Sequence, residues 1–570
     1  MKRVAAFLNK LSPDTTVLLW LGIWFLINVI QGTFTELVDD EAYYHIYAQS
    51  LDWGYFDHPP FLAILIWLGE TIFGTTEIGV RFFVIALQPL YLWIFWRTIC
   101  PTNATRKDAT LYMLISSAII MMQPYGFVAV PDAPLLLGTA LFFAAYKAFL
   151  ENRKLSWLWL GIAMAVMAYS KYQGALVVLF AILFNPKLLI NFRFYASGAV
   201  ALALFTPHLL WQYNNDWPSF MYHLSDRNRP FAWSSVTEYI LNLIAVFSPF
   251  FIPLWVQAYR KVKAQNLFER ALKWTPISFF IFFLLSSARG STQPQWLIVA
   301  TFGLVWILFF YLREHERSRK YAVRMALFTL ALISILRIEM IFNIFGLSQK
   351  LKVSGNREKY GAIEQIANGR PVIFKGSYAT ASKYIFYTKG EGYCTPALGY
   401  RTHQWQYIDD SKFLGKEVIV EYSPTEEEIN LLPDKYFSST LPSGNVFKYY
   451  IEKSYLPLKM VKITTNEPLP SSITKGKEIK LKLTIDNSYN YNIVTSNKVR
   501  FLMQLRALNI AQTYNIANGV EIPANSTIEY NGNFTLPTNI PSGIYQIGFA
   551  LVNDGMDGWF SSVPQSVELQ

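Results

Sequence analysis

Three acids in succession, Asp39, Asp40 and Glu41, follow a run of apolar residues and open the segment DDEAYYHIYAQSLDWGYFDHPPF, residues 39–61. The segment also carries Tyr43, Tyr44, Trp53, Tyr55, Asp57 and His58, the last set before a Pro-Pro pair. Acids at the end of a membrane span are costly unless they face water or a bound partner, so the cluster marks a candidate site. One carboxylate there can take a proton from an attacking hydroxyl, and nearby cations can stabilise charge growing on a leaving group. Candidate partners are Asp132, between prolines in VPDAP, Lys171 in SKYQG, and Arg289 in ARGSTQPQW.

Such residues need elements to hold them. The 570 residues are 52% hydrophobic and 16% aromatic, with a mean hydropathy of +0.23, too apolar for a soluble protein. The pattern predicts about eleven spans, at 16–34, 78–99, 109–125, 132–150, 156–170, 173–184, 194–213, 236–258, 274–288, 294–312 and 321–346. The basic N-terminus lacks a small-residue cleavage site before a run long enough to span, which reads as a retained first helix. Lysines and arginines concentrate in alternate loops, which places the N-terminus in the cytoplasm and the C-terminal region outside. The formal charge of +11 is thereby a topology signal, and nucleic acid is not expected as a partner. The same alternation puts 39–61, Asp132, Lys171, the loop 214–231 with Trp217, and Arg289 on one outer face.

Between the acidic segment and the second span, residues 59–74 are apolar but too short to cross; they read as a helix lying along the interface beside a lipid-open cavity. The membrane half is expected over 1–346. A small α/β domain is expected over 350–452, from a helix at 359–368 and the strands PVIFKG and KEVIVEY. A β-sandwich of seven or eight strands is expected over 456–570. The fold class is thus a polytopic α-helical membrane protein with a soluble α/β domain and a β-sandwich, both outside the cell membrane. The two cysteines, Cys100 and Cys394, fall on opposite sides of the membrane and offer no disulfide framework.

ATP is not normally available on the outer face, so an enzyme there needs a pre-activated donor. A polyprenyl-phosphate-linked sugar fits, because its tail sits in the bilayer and its phosphate is a good leaving group. Asp40 is placed to act as base, with Asp39 or Glu41 orienting it or holding the acceptor. Asp132 opens a helix, where a carboxylate is favoured by the helix dipole as well as by any role in the chemistry. Lys171 is too deep to be a topology signal and calls for a phosphate or carboxylate partner. Arg289 can fork onto a phosphate, and His58 can hydrogen-bond phosphate or sugar. Trp53, Tyr55 and Trp217 can stack on a sugar ring, with Tyr43, Tyr44 and Asp57 as further sugar or acceptor contacts. Arg337 and Glu339, inside the last span, are expected to form a structural ion pair.

An Asp-Glu pair followed by tyrosines, then WGYFDHPP, Phe73-Gly74 and Arg81, then PDAPLLL, SKYQG and NDWPSFMYHL, resembles the bacterial members of the protein-mannosyltransferase superfamily. These are glycosyltransferases of the GT-C fold that use polyprenyl-phosphate sugars, and they include the lipid A aminoarabinose transferases. The resemblance covers most of the membrane half, weakens in the α/β piece and does not reach the β-sandwich. It implies a catalytic acid at Asp40, a second outer-face acid at Asp132, and inversion at the anomeric carbon by direct displacement. Where aminoarabinose transferases carry a lysine before Pro-Pro, this chain has His58, which shifts the donor-phosphate role toward Lys171 or Arg289. The acceptor is a glycolipid, a polysaccharide or a protein. No cofactor is required: a divalent metal is compatible with the acids, but no ligand spacing indicates one. A transporter or flippase of a lipid-linked sugar is the alternative reading, and it calls for polar clusters on both sides or at mid-membrane.

Overall fold

The computed structural model describes residues 11–222, 231–288, 290, 292–397, 400–423, 435–507, 510–553 and 561–570. It divides into two compact units, Met1–Ser354 and Gly355–Gln570. The α/β piece and the β-sandwich lie together in the second unit.

The first unit is helical: α1 (Pro13–Phe34), α2 (Asp39–Ala48), α3 (Phe61–Phe73), α4 (Glu77–Ile99), α5 (Arg106–Ala118), α6 (Asp132–Leu150), α7 (Ser156–Ser170), α8 (Gly174–Phe184), α9 (Phe192–Asn214), α10 (Trp233–Val246), α11 (Ile252–Lys261), α12 (Leu267–Ser287), α13 (Ala300–Glu314) and α14 (Glu316–Phe342). Local chemistry sets their starts. Ser12 caps α1 ahead of Pro13, Thr76 caps α4 through the Gly79 amide, and Thr105 and Asp108 form a capping box on α5. α4 packs against α1, α3 and α6. The short helix α3 comes close enough to α4 that a Cβ on Gly69 would sit 2.0 Å from the Gly79 carbonyl oxygen, so only glycine fits there.

Every segment expected to span carries a helix, but three are not continuous; that at 294–312 opens as a 3₁₀ turn, Pro294–Leu297, before α13. By length and composition α1, α4, α6, α9 and α14 can each cross a membrane; α10 and the stretch Pro249–Lys261 pass only together, bent by 81° at Ser248. The segment expected at 109–125 is helical only to Ala118 and then turns through 3₁₀ pieces at Ile120–Met122 and Pro124–Gly126. Broken backbone at membrane depth survives only where other groups satisfy it, and buried amides do so here. Gln123 donates to the Ser117 carbonyl (2.5 Å), Gln88 to Met122 (2.7 Å) and Asn28 to Gly126 (3.0 Å). Arg337 completes the cluster, donating to Asn28 (2.9 Å) and Gln123 (2.8 Å). The expected Arg337–Glu339 pair is therefore corrected. Residues two apart on a helix face different directions, and Glu339 instead accepts the backbone amides of Phe345 and Leu347, both at 2.9 Å, closing the turn after α14.

In the second unit, α15 (Asn356–Ala367) and α16 (Tyr378–Thr388) accompany a five-stranded sheet of order β2-β1-β3-β5-β4. Its strands are β1 (Val372–Lys375), β2 (Gly392–Thr395), β3 (Val418–Glu421), β4 (Tyr436–Thr440) and β5 (Val446–Glu452). β1 lies parallel to β2 and β3, and β5 is antiparallel to both of its neighbours.

The sandwich follows with β6 (Val461–Thr465), β7 (Ser472–Ile473), β8 (Glu478–Asn487), β9 (Ile493–Val494), β10 (Val499–Ala507), β11 (Ile510–Ala517), β12 (Glu521–Ile522), β13 (Ser526–Thr535), β14 (Gly543–Asn553) and β15 (Gln565–Leu569). They form sheets β11-β10-β14-β15-β7 and β13-β8-β6 with a small β12-β9 pair. Three of these ten strands are two residues long, too short to show alternation in a sequence. β8 shows it fully: Ile479, Leu481, Leu483 and Ile485 enter the core while Glu478, Lys480 and Lys482 face out.

Candidate active site

The acids of α2 occupy its first turn, where the helix dipole favours them, yet each has a different environment. Glu41 is fully buried and bonded on both oxygens to Arg81, Nε to Oε1 at 2.6 Å and an Nη to Oε2 at 2.5 Å. Its Oε1 also accepts the Ala129 amide (2.8 Å), and its Oε2 accepts the Val38 amide (3.0 Å). Arg81 in turn donates to the carbonyls of Gly32 (3.0 Å), Thr35 (2.5 Å) and Glu36 (3.1 Å) at the end of α1. Glu41 therefore fixes α2 against α1, α4 and the strand of backbone leading to Asp132. Asp39 is paired with Lys352 at 3.1 Å in a half-exposed bridge. Asp40 lies between these two, partly exposed at the start of α2. Asp40 and Asp132 both act electrostatically on the Tyr125 hydroxyl.

Asp132 and Lys171 form a second buried pair, with Nζ 2.8 and 2.9 Å from the two carboxylate oxygens. The carboxylate partner that a deep lysine requires is thus Asp132. Two of the three Nζ hydrogens are committed to it, leaving one donor direction.

The remainder of segment 39–61 is a polar scaffold. Asp57, 6% exposed, accepts the hydroxyls of Tyr43 (2.6 Å) and Tyr47 (3.0 Å) on one oxygen. The ring of Tyr55 stacks on Tyr47 at 4.2 Å, and its hydroxyl is shared between the carbonyls of Tyr47 and Ser50. At 2% exposure Tyr55 has no face to offer a sugar, and burial pushes its hydroxyl up to about 12. Tyr43, at 1%, is equally enclosed. Tyr43, Tyr55 and Asp57 thus shape the loop. Tyr44 is buried with its ring 5.8 Å from that of His58, which is itself partly exposed. Trp53, 57% exposed, and Trp217, 40% exposed, do present aromatic surface. Arg289 lies outside the described residues.

Sequence reasoning missed the residues at the end of α9 that hold this loop. His208 Nδ1 donates to the Trp53 carbonyl (2.8 Å), so its Nε2 takes the Tyr172 hydroxyl (2.9 Å). Trp211 donates to Asp52 (2.7 Å), and Gln212 donates to both Tyr172 (3.1 Å) and Ser219 (2.8 Å). A Cβ on Gly54 would fall 2.5 Å from the Trp211 ring, so the glycine of WGYF admits that indole. The signal was present as a histidine and a glutamine four residues apart in an otherwise apolar span. Among the described residues, no three histidine, cysteine or carboxylate side chains are grouped to hold a metal ion.

The site can therefore provide a partly exposed carboxylate, a carboxylate-paired lysine, a histidine and two exposed indoles at one end of a helical bundle. Residues 57–211 match the family of dolichyl-phosphate-mannose-protein mannosyltransferases. A lipid A galacturonosyltransferase, RgtD, of Rhizobium johnstonii is 24% identical over an alignment of 323 positions that covers 52% of this chain; the chain spans 66% of that relative's length. The solved structures of ArnT from Cupriavidus metallidurans, apo and bound to undecaprenyl phosphate, are 16% identical and superpose with TM-scores of 0.56 and 0.57, each covering 76% of this chain and 97% of the ArnT chain. At that identity the likeness is one of fold.

Proposed function

We propose, from a chain that is a multi-pass membrane member of the GT-C fold superfamily of protein mannosyltransferases and aminoarabinose transferases, that it moves a sugar from a polyprenyl-phosphate carrier to an acceptor hydroxyl. The observation that carries this reading is the division of labour along the DDE run. Arg81 locks Glu41, and Asp40 stands next to it on the same rigid turn, partly exposed.

In the reaction the acceptor oxygen attacks the anomeric carbon while Asp40 takes its proton. The bond from that carbon to the phosphate oxygen breaks, and the electron pair leaves with the phosphate. Attack opposite the leaving group inverts the anomeric centre. The remaining Nζ hydrogen of Lys171, with His58, faces the departing phosphate as a donor; Arg289 is proposed for the same role. Trp53 and Trp217 provide the stacking surface for sugar. The ArnT structure bound to undecaprenyl phosphate supports a polyprenyl carrier, and the relative named for lipid A supports a glycolipid acceptor. The proposed setting is the bacterial inner membrane with this site on the periplasmic side.

The test is release of polyprenyl phosphate by the purified protein and its Asp40→Asn variant, offered a panel of polyprenyl-phosphate sugars with a lipid A acceptor. Loss of a general base predicts a fall of roughly 10²–10⁴ in turnover with melting temperature unchanged. Near-parental turnover by Asp40→Asn overturns the assignment of the base. Failure of the parent on every donor overturns the transfer itself.

A further inference from the structure

The end of the bundle away from the acids carries a second built feature. Between the first turns of α5 and α14 lies a cavity of about 860 Å³, walled by Arg106, Lys107, Arg319, Lys320 and Arg324. Among the described residues its lining includes no acid. On the same two helices Asp108 is engaged with Arg313 and Thr105, and Glu316 with Lys320. The cations come from two helices brought together by the α5–α14 packing, so this is more than a basic loop. The same cavity is also lined by Leu111, Leu114 and Val323.

Cations and apolar side chains lining one cavity at the starts of two helices match the two parts of a phospholipid, its phosphate and its acyl chain. A soluble anion needs only the cations, so the apolar side chains favour a lipid. We propose that this cavity is a binding site for an anionic phospholipid of the leaflet opposite the acidic site, with Arg106, Arg319 and Arg324 on its phosphate and Leu111, Leu114 and Val323 along its first chain. Basic pockets between spanning helices recognise anionic headgroups by this chemistry. The occupant would join α5 to α14 and so brace the helix that delivers Arg337 to the amide cluster near Asn28 and Gln123.

Native mass spectrometry of the full-length protein in detergent tests this, with phosphatidylglycerol, phosphatidylcholine or water-soluble glycerol phosphate added separately. The expected result is retention of phosphatidylglycerol over phosphatidylcholine, and a loss of that preference by about a hundredfold in Arg106→Gln/Arg319→Gln/Arg324→Gln. Val323→Trp, which fills the apolar wall and keeps every charge, is expected to weaken phosphatidylglycerol and leave glycerol phosphate unaffected. Equal retention of the two lipids by the parent, or undiminished phosphatidylglycerol on the triple variant, overturns the proposal. Displacement of the lipid by equimolar glycerol phosphate overturns the lipid assignment in favour of a free-phosphate site. Should the triple variant not fold, the single Arg324→Gln variant reads the same preference.

Discussion

Arg81 grips Glu41 through two parallel hydrogen bonds with both side chains wholly out of solvent, and the remaining guanidinium hydrogens cap the open carbonyls at the end of α1. One arginine thus terminates one helix and anchors the first turn of the next. Phe127 sits under Arg81 at 5.8 Å and under Arg337 at 5.2 Å, so the same ring ties the anchor to the amide cluster. The position of Asp40 follows from this anchoring, because a carboxylate one residue before a fixed glutamate cannot wander.

Removing one side of a buried pair strands the other charge, at a cost of about 3–5 kcal/mol. Glu41→Gln and Arg81→Lys are both expected to lower the melting temperature in detergent and to reduce turnover together. A lysine cannot make the forked contact, so Arg81→Lys should not rescue. Melting curves of the two variants that matched the parent would show that the anchor is dispensable.

The Asp132–Lys171 pair separates stability from chemistry in a different way. Lys171→Met leaves Asp132 buried without its cation and is expected to destabilise strongly, by about 3–5 kcal/mol. The double variant Lys171→Met/Asp132→Asn removes both charges and should regain most of the stability. Polyprenyl phosphate release should stay low in the double variant, because the hydrogen-bond donor proposed for the leaving phosphate is gone. Recovery of turnover along with stability would reduce the pair to a structural element.

Exposed indoles predict an effect on binding more than on rate. Trp53→Ala and Trp217→Ala are expected to raise KM for the sugar donor by about two- to tenfold with little change in kcat, since each loses one aromatic contact. Tyr55→Phe, by contrast, removes a buried hydroxyl that bonds Tyr47 and Ser50; it should lower melting temperature and leave KM alone. Donor titrations of the three variants distinguish the two classes.

Hydropathy located apolar helices, of which five, or six with the bent pair, have among the described residues the length and composition to cross a membrane. It did not reveal the stop at Ala118, since AIIMMQ reads as a continuing apolar run while the backbone turns and hands its carbonyls to Gln123, Gln88 and Asn28. Those three amides are scattered over 95 positions and become legible as a network only when folded. The same applies to the site. Acids beside aromatics were visible in order along the chain, whereas the choice between Glu41 as anchor and Asp40 as accessible carboxylate depends on Arg81, forty residues away. Tyr55 and Trp53 look alike as candidates for stacking and differ only in which side of the loop faces in.

The second unit offers a prediction in pH. Asp410 is buried beside the sandwich, where Tyr489 donates to it at 2.8 Å and Lys459, itself bonded to the Ile408 carbonyl, lies near. Burial raises the Asp410 carboxyl to about 6, against the opposing pull of Tyr489 and Lys459, and burial lowers Lys459 to about 8. An acid whose folded pKa is raised binds more protons folded than unfolded, so its contribution is complete below the ordinary aspartate range near 4 and is lost as pH rises through about 6. A lysine whose folded pKa is lowered behaves oppositely: its contribution is complete above about 10.4 and is lost as pH falls through about 8. The second unit should therefore lose stability between about pH 4 and 6 and regain some between about 8 and 10.4. Cys394, fully buried on β2, reports opening of this unit. In a full-length Cys100→Ser background its rate of reaction with 4,4′-dithiodipyridine, taken as a ratio to that of the same protein carrying Asp410→Asn, cancels the thiol's own titration. That ratio is expected to climb between pH 4 and 6 and then level. A ratio that stays flat across this window would mean that Asp410 does not titrate against the fold.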